Sequence, residues 1–139
     1  IITELKKFNP FCPIFKMRYR IRAPEQFSGK KAYAFAGIAD PGYFFQMAQS
    51  LKIEMVGKKK FPDHHYYKEL ELKQIEQDAK IKGAEILLTT EKDLVRLKGF
   101  APKIPLLALK IEPDFSGEEE KLMEMVINKL KDFRNAQGA

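Results

Sequence analysis

The chain has 139 residues, 45% of them hydrophobic and 32% charged, which is the composition of a soluble globular protein with a single domain. Its one cysteine, Cys12, excludes an internal disulfide, and no segment has the apolar length of a membrane-spanning helix or the pattern of a signal peptide. The net charge of +6 suggests an anionic partner: a nucleic acid, a phosphorylated metabolite or an anionic membrane surface.

The first 30 residues predict an irregular lead-in followed by a basic strand. Prolines interrupt residues 1–13, where Cys12 is expected to be a buried apolar side chain. Residues 15–22 alternate between apolar and basic, so we expect a strand with cations on one face: Lys16, Arg18, Arg20 and Arg22. These cations favour a phosphate-bearing ligand or an anionic headgroup surface, against the alternative that they protect a sheet edge. Because the chain starts at Ile1 within a polar helix end, we expect a fragment of a longer protein.

From residue 31 onward, short apolar runs alternate with helical patterns. Strands are predicted at 32–36, 53–56, 85–89 and 104–111. Helices are predicted at 41–51, at 69–82, at 91–98 after a capping box of Thr90 with Asp93, and from a capping box at Ser116 onward. The last helix is expected to bury an apolar stripe of Leu122, Val126, Leu130 and Phe133. Strands that alternate with helices imply a parallel sheet with right-handed crossovers.

The predicted fold class is therefore α/β. We expect a small three-layer domain with a parallel sheet of about four strands over residues 31–135, preceded by the lead-in and basic strand of residues 1–30 and followed by a disordered tail at 136–139. Ligands of such sheets bind outside the carboxyl ends of the strands. The loops at 37–42, 57–67 and 89–93 are expected to converge there. The first comes close to a dinucleotide fingerprint, but Ala39 replaces its middle glycine, so a simple glycine turn is favoured.

Both histidines of the chain stand together in the segment Asp63-His64-His65. Because Pro62 disfavours helix at the residue before it, this segment is expected in a loop that leaves a strand. Such a loop is suited to proton chemistry, or else one histidine caps a helix and the other is solvated. A metal site is disfavoured, since no distant histidine or paired cysteine completes a ligand set. The neighbouring lysines are a solvated strand end or contact a phosphate: Lys58, Lys59 and Lys60.

Three motifs carry a resemblance to a known family. They are Ala36-Gly37-Ile38-Ala39-Asp40-Pro41 with Phe44-Phe45, then Phe61-Pro62-Asp63-His64, then Leu88-Thr89-Thr90-Glu91-Lys92-Asp93 with Val95-Arg96-Leu97. In this order and spacing they resemble the C-terminal part of tetraacyldisaccharide 4'-kinase, the lipid A 4'-kinase of Gram-negative bacteria. Ala39-Asp40 departs from the glycine and asparagine that the family often has there, which affects only the turn.

The resemblance implies an enzyme that transfers the γ-phosphate of ATP, with Mg²⁺, to the 4'-hydroxyl of a lipid disaccharide 1-phosphate. The P-loop, the magnesium-binding acids and a catalytic aspartate would lie in an N-terminal domain absent from this chain, so no cofactor is expected here. His64 would reach across the cleft to orient that aspartate, Asp63 would hold the tautomer of His64, and His65 would be dispensable. Positioning of this kind suits phosphoryl transfer.

The resemblance also implies partners and a location. The partners would be the N-terminal P-loop domain, the lipid A disaccharide precursor and the anionic surface of the inner membrane, on its cytoplasmic face, with the basic strand as part of a connector between two domains. The alternative from another class is a non-catalytic nucleotide- or nucleic-acid-binding module, in which Tyr66 and Tyr67 would stack on bases beside the cations. If the resemblance holds, no nucleic acid partner is expected.

Overall fold

A computed structural model describes residues 1–22 and 25–137, apart from the side chains of Arg22, Gln26 and Gln137. Its elements are, in chain order, α1 (Ile2–Phe8), β1 (Arg18–Arg22), a 3₁₀ turn (Glu25–Phe27), β2 (Lys31–Ala36), α2 (Pro41–Gln49), β3 (Glu54–Lys60), α3 (Glu69–Ile81), β4 (Ile86–Thr90), α4 (Glu91–Leu94), β5 (Leu106–Asp114) and α5 (Glu119–Gln137). In this described part, no helix is both long enough and apolar enough to cross a membrane.

The strands form one sheet in the order β1-β5-β4-β2-β3. The pairs β2–β3, β2–β4 and β4–β5 are all parallel, which confirms the predicted α/β class and its parallel sheet. The sheet has five strands because β1 joins it beside β5. Because consecutive side chains of a strand point to opposite faces, fully buried strands such as β4 supply both faces of the sheet with apolar groups.

Two apolar clusters, one on each face of the sheet, make up the core. Phe44, Phe45 and Ala48 of α2 pack in the first cluster, and Leu72, Ile75 and Ala79 of α3 pack in the second. Both helices carry these residues at spacings of three or four, so each presents one apolar stripe to the sheet. The arrangement of helix, sheet and helix confirms the predicted three layers.

Local signals explain where several elements begin and end. The Asp40 carboxylate accepts a hydrogen bond from the backbone N–H of Tyr43 at 2.9 Å, which caps α2, and Pro41 occupies its first position. α3 is followed by Gly83, whose φ of +69° suits glycine. At α5 the predicted capping box is wrong: Ser116 has a φ of +58°, and Glu119 accepts from the backbone N–H of Phe115.

The chain divides into two compact units, Ile21–Ile111 and Ile1–Arg20 with Glu112–Ala139. This division differs from the predicted one at residues 30 and 31. The first 13 residues contain an exposed helix, α1, and Cys12 is exposed, so its predicted burial is wrong. The helix α5 includes Ala136 and Gln137, where a disordered tail was expected, and residues 138–139 lie outside the described part.

Candidate functional site

The loops that follow β2, β3 and β4 meet at one edge of the sheet. β3 and β4 lie on opposite sides of β2, so the connection after β2 runs one way and the later crossover runs the other. In open parallel sheets, the crevice for a ligand forms at this reversal, outside the carboxyl ends of the strands. The backbone N–H of His64 donates to the carbonyl of Gly37 at 3.1 Å, which ties the second loop to the first.

The carboxylate of Asp93 ties the third loop to the other two. Asp93 is fully buried, so its oxygens need hydrogen-bond donors in place of water. They accept from the backbone N–H of Gly37 at 3.1 and 3.2 Å, the hydroxyl of Tyr67 at 3.0 Å and the hydroxyl of Thr90 at 2.8 Å. The Arg96 guanidinium adds a longer contact at 3.4 Å. This set of donors makes Asp93 the common anchor of the site.

Gly37 allows the first two loops to approach each other closely. A Cβ atom at this position would lie 3.1 Å from the Cβ of His65, the carbonyl oxygen of Pro62 and the hydroxyl of Tyr67. Its carbonyl also accepts from Arg96 at 3.0 Å. A side chain at this position would require these neighbours to shift by a few tenths of an ångström, so glycine suits the close approach of the two loops.

Tyr67 contributes both its ring and its hydroxyl to the packing of the site. Its ring lies edge-on to Phe35 and Phe61, with centroid separations of 5.7 and 5.0 Å. Burial, followed by the neighbouring Asp93 carboxylate, raises the pKa of the Tyr67 hydroxyl well above its ordinary value. The hydroxyl therefore stays protonated and remains a donor to Asp93. This use of the hydroxyl weakens the alternative in which Tyr67 stacks on a base.

His64 is displayed at the rim of these loops. Its side chain is 80% exposed, and its backbone has a φ of +58°, a left-handed conformation that is uncommon outside glycine. The backbone N–H also donates to Oδ1 of Asp63 at 2.9 Å. The ring Nδ1 lies 3.3 Å from the Nη2 of Arg96, and Nε2 lies 3.7 Å from Oδ2 of Asp63. The imidazole thus has a defined position while facing solvent.

His65 has the opposite environment. Its ring stacks on Phe61 with a centroid separation of 4.6 Å, and its Nε2 lies 3.0 Å from the Glu71 carboxylate at the start of α3. The backbone N–H of Lys68, together with His65, lowers the pKa of the Glu71 carboxyl below its usual range. His65 therefore packs against the first turn of α3, but it does not cap the helix as one of the two sequence interpretations expected, because Glu71 accepts from the backbone N–H of the cap residue Lys68. Its dispensability for turnover stays a prediction.

Comparison with known proteins identifies the family. A family model described as Tetraacyldisaccharide-1-P 4'-kinase matches residues 5–131. The chain belongs to the tetraacyldisaccharide-1-P 4'-kinase family. A tetraacyldisaccharide 4'-kinase from Agrobacterium fabrum is 40% identical over 87 residues, which are 63% of this chain and 25% of that protein. Another from Desulfotalea psychrophila is 31% identical over 131 residues, which are 88% of this chain and 38% of that protein.

A solved structure supports the same assignment. LpxK from Aquifex aeolicus, crystallised in complex with ATP, matches with a TM-score of 0.51 and 25% sequence identity, covering 88% of this chain and 40% of that chain. The chain thus spans between about a quarter and two fifths of the length of the curated relatives named above. The three motifs that carried the resemblance are those whose loops meet at Asp93.

The lysines at 58–60 lie within a strand and not in the loop where the sequence analysis placed them. They belong to β3 itself, where they pair with residues 34–36 of β2, and not to a loop beyond it. Lys58 lies over the ring of Phe45 and Lys59 over the ring of Phe61, at 6.0 and 5.5 Å from the ring centroids. The prediction ended the strand at Val56, but β3 continues through Gly57, which admits the ring of Tyr33, 2.6 Å from where a Cβ would lie.

The arginines of the basic strand pair with a carboxylate of the same chain. Asp114, at the end of β5, receives Nη2 of Arg20 at 2.7 Å and Nε of Arg18 at 3.3 Å on the same carboxylate oxygen. The backbone N–H of Ser116, and then Arg20, lower the pKa of the Asp114 carboxyl. The sequence analysis favoured an external phosphate or headgroup as the partner of these cations, and it missed this carboxylate. Lys16 is exposed, and the side chain of Arg22 lies outside the described residues.

The roles of Asp93, Tyr67 and Arg96 were missed by sequence reasoning. Asp93 was assigned to a capping box with Thr90, and half of that assignment is right, since the Thr90 hydroxyl accepts from the backbone N–H of Asp93 at 3.1 Å. The Asp93 carboxylate instead reaches Gly37, 56 positions away in the chain. A signal was present in the sequence, because an aspartate three residues after a buried strand lies close to the carboxyl edge of the sheet.

Over the described residues, no three side chains of histidine, cysteine, aspartate or glutamate gather as ligands of a metal ion would. The sequence contains no Gly-x-x-x-x-Gly-Lys-Ser/Thr segment. This described part of the chain therefore shows neither a three-ligand metal cluster nor a P-loop sequence.

Proposed function

We propose that the full-length protein containing this chain transfers the γ-phosphate of ATP to the 4'-hydroxyl of a tetraacyldisaccharide 1-phosphate in lipid A biosynthesis. The observation that carries the proposal is the family match over residues 5–131. Two named relatives share the activity in their names, and LpxK from Aquifex aeolicus binds ATP in its crystal structure, which supports ATP as the phosphate donor.

His64 is the group that this chain contributes to the reaction. It is exposed at the carboxyl edge of the sheet, where its ring contacts Arg96, which in turn contacts the buried Asp93. In phosphoryl transfer, the protein acts mainly by positioning groups and stabilising charge, so a fixed imidazole at the edge of a cleft is useful even though it carries no phosphate. Asp63, which accepts from the His64 backbone, helps to fix the loop. ATP and Mg²⁺ are assigned to the remainder of the full-length protein.

We propose further that the N-terminal P-loop domain of the same protein covers the apolar surface of residues 1–20 and 112–137. Every buried hydrophobic side chain that we can describe lies between Ala32 and Leu109, so this smaller unit has no buried apolar core in its described part. Its large exposed apolar residues include Phe8, Phe11, Met123, Leu130 and Phe133. Several large apolar side chains left exposed in one unit favour an interaction site, and the relatives are long enough to supply a covering domain.

The substrate and the location of the enzyme belong to the same proposal. A lipid disaccharide phosphate lies in a membrane, so the enzyme works as a peripheral protein at the cytoplasmic face of the inner membrane. The exposed cations Lys16, Arg18 and Arg20 face solvent in part and support attraction to anionic headgroups. The ion pairs with Asp114 reduce that attraction but do not cancel it, because two guanidinium groups share one carboxylate.

The test is a phosphate-transfer assay with purified full-length protein, ATP, Mg²⁺ and tetraacyldisaccharide 1-phosphate in mixed micelles. We expect a product that carries one additional phosphate at the 4' position, identified by mass spectrometry and phosphorus NMR. The 139-residue chain alone is expected to fold but to show neither tight ATP binding nor transfer. Absence of transfer by the full-length protein would refute the proposed activity, and robust ATP hydrolysis by the chain alone would refute the two-domain division of labour.

A further inference from the structure

The two terminal nitrogens of the Arg96 guanidinium have different contacts: one is bonded to the protein backbone and the other faces the ring of His64. Its Nη1 donates to the carbonyl of Gly37 at 3.0 Å and lies 3.4 Å from Oδ1 of the buried Asp93. Its side chain is 19% exposed, which is little for an arginine. The guanidinium is a planar, rigid fork, so fixing Nη1 also fixes the direction of Nη2. That second nitrogen points to the ring of His64, with 3.3 Å between Nη2 and Nδ1.

This contact determines which nitrogen of His64 carries the proton. Arginine is a donor only, so Nδ1 must accept, and the proton of the neutral ring therefore lies on Nε2. Asp63 does not set this arrangement through Nδ1, because its carboxylate faces Nε2 at 3.7 Å, beyond hydrogen-bond length. With its proton on Nε2, neutral His64 can donate a hydrogen bond to a carboxylate or phosphate oxygen. It cannot accept a proton at that atom.

We infer that Arg96 is a positioning residue that fixes the ring orientation and the tautomer of His64, so that His64 acts as a hydrogen-bond donor through Nε2. The catalytic consequence rests on the proposed function, whereas the structural consequence does not. The buried Asp93 carboxylate contacts the Arg96 guanidinium, and the guanidinium contacts the exposed ring of His64. The position of the ring therefore depends on a residue in the core of the domain. Asp93 lies in α4, and Arg96 lies three residues later, just after that helix.

The structural part is tested by NMR on the 139-residue chain, with ¹⁵N-labelled histidine at neutral pH. Long-range nitrogen–proton spectra are expected to show His64 with its proton on Nε2 and one side-chain rotamer. Arg96→Lys keeps a cation near Asp93 but loses the fork, and it should produce mixed tautomers and averaged rotamer couplings at His64. His65 is the internal control, because Glu71 holds its ring and its spectrum should not change. A His64 spectrum that is identical in the wild type and the variant would overturn the inference.

The catalytic part is tested by a double-mutant cycle in the full-length protein. Arg96→Lys alone should lower kcat on the order of 10-fold to 10²-fold with a smaller change in KM, since it misplaces a group and removes none. In the His64→Ala background, the same change should lower kcat by no more than about twofold. Equal losses in both backgrounds would show that Arg96 acts independently of His64, against the inference. Lys98→Gln, at an exposed position after α4, is the matched control and should leave kcat unchanged.

Two outcomes separate the inference from the proposed function. If His64→Ala leaves kcat unchanged, the assigned role of His64 in transfer fails, while the NMR result still decides whether Arg96 positions the ring. Melting curves accompany every variant. If Arg96→Lys lowers the folded fraction, kcat is expressed per folded molecule, and a normal value per folded molecule then counts against the inference.

Discussion

At the scale of single residues, the site depends on backbone conformations and contacts that suit one position each. His64 has a φ of +58°, which costs an L-residue roughly 1–2 kcal/mol relative to glycine. Histidine is among the residues enriched in this conformation, but it still carries a cost that the surrounding hydrogen bonds must offset. Uncommon conformations of this kind cluster at functional sites, and this one presents an imidazole to solvent.

Replacing His64 with glycine should stabilise the chain. Removing the side chain relieves the left-handed conformation, and the gain should be about 1 kcal/mol, because the exposed contact with Arg96 contributes less than that. Urea unfolding of the 139-residue chain measures it. Lys52→Gly is the matched control, since exposed Lys52 has a φ of +56° and should gain a similar amount. A marked loss of stability in His64→Gly alone would show that the ring is needed for folding.

Replacing Gly37 with alanine should destabilise the chain by about 1–3 kcal/mol. The new methyl group would meet Pro62, His65 and Tyr67 at 3.1 Å, and it would push the second loop away from Asp93. Gly42→Ala is the control, because a Cβ there would meet only the ends of two side chains, Asp40 Oδ1 at 3.3 Å and Lys60 Nζ at 3.9 Å, and alanine favours its helix. Denaturant midpoints for both variants decide the matter, and equal midpoints would contradict the packing described for Gly37.

At the scale of elements, local signals in the sequence predicted most of the fold. Alternation, apolar runs and caps such as Asp40 operate within a few residues, so the helices and parallel strands could be found from them. The polar contacts of the site join residues far apart in the chain, such as Gly37 with Asp93 and Arg18 with Asp114, 56 and 96 positions apart. No local pattern reports such pairs, which is why the anion beside the basic strand was missed.

The pairing of β1 with Asp114 gives a direct test of membrane attraction. Asp114→Asn releases two guanidinium groups, so sedimentation with anionic liposomes should increase at low salt by an amount on the order of 1 kcal/mol per freed cation. The increase should fade as salt rises. Glu120→Gln makes the same change in net charge on α5 and is the control. Equal sedimentation of the two variants would leave edge protection as the role of the basic strand.

Charge reversal at Arg18 and Arg20 should weaken sedimentation with anionic liposomes at low ionic strength.

At the scale of the whole molecule, the larger unit carries the core and the smaller one does not. The predicted inner stripe of α5 is exposed in the chain: Val126 by 43%, Leu130 by 59% and Phe133 by 61%, with only Leu122 partly buried. The predicted burial of this stripe is therefore wrong for the described chain, although the apolar residues do recur at helical spacing on α5. Sequence periodicity indicates that a face will be buried and does not indicate by what.

Leu130→Ala should therefore have different effects in two contexts. In the 139-residue chain, an exposed leucine contributes little, so the free energy of unfolding should change by less than about 0.5 kcal/mol. In the full-length protein, the covering domain would bury it, and the loss should reach roughly 2–5 kcal/mol. Ile81→Ala, at a 76% exposed position of α3, should be neutral in both. A neutral effect of Leu130→Ala in the full-length protein would contradict the proposed docking.

The central claim, that this chain presents His64 to a phosphoryl-transfer site, is tested most directly by the steady-state kinetics of His64→Ala in the full-length protein. We predict that kcat falls roughly 10²-fold or more while KM changes far less, because the lost contact is made mainly in the transition state. His65→Ala, which loses the contacts with Phe61 and Glu71, should lower stability and leave turnover per folded molecule near normal. Near-wild-type turnover of folded His64→Ala would contradict the claim.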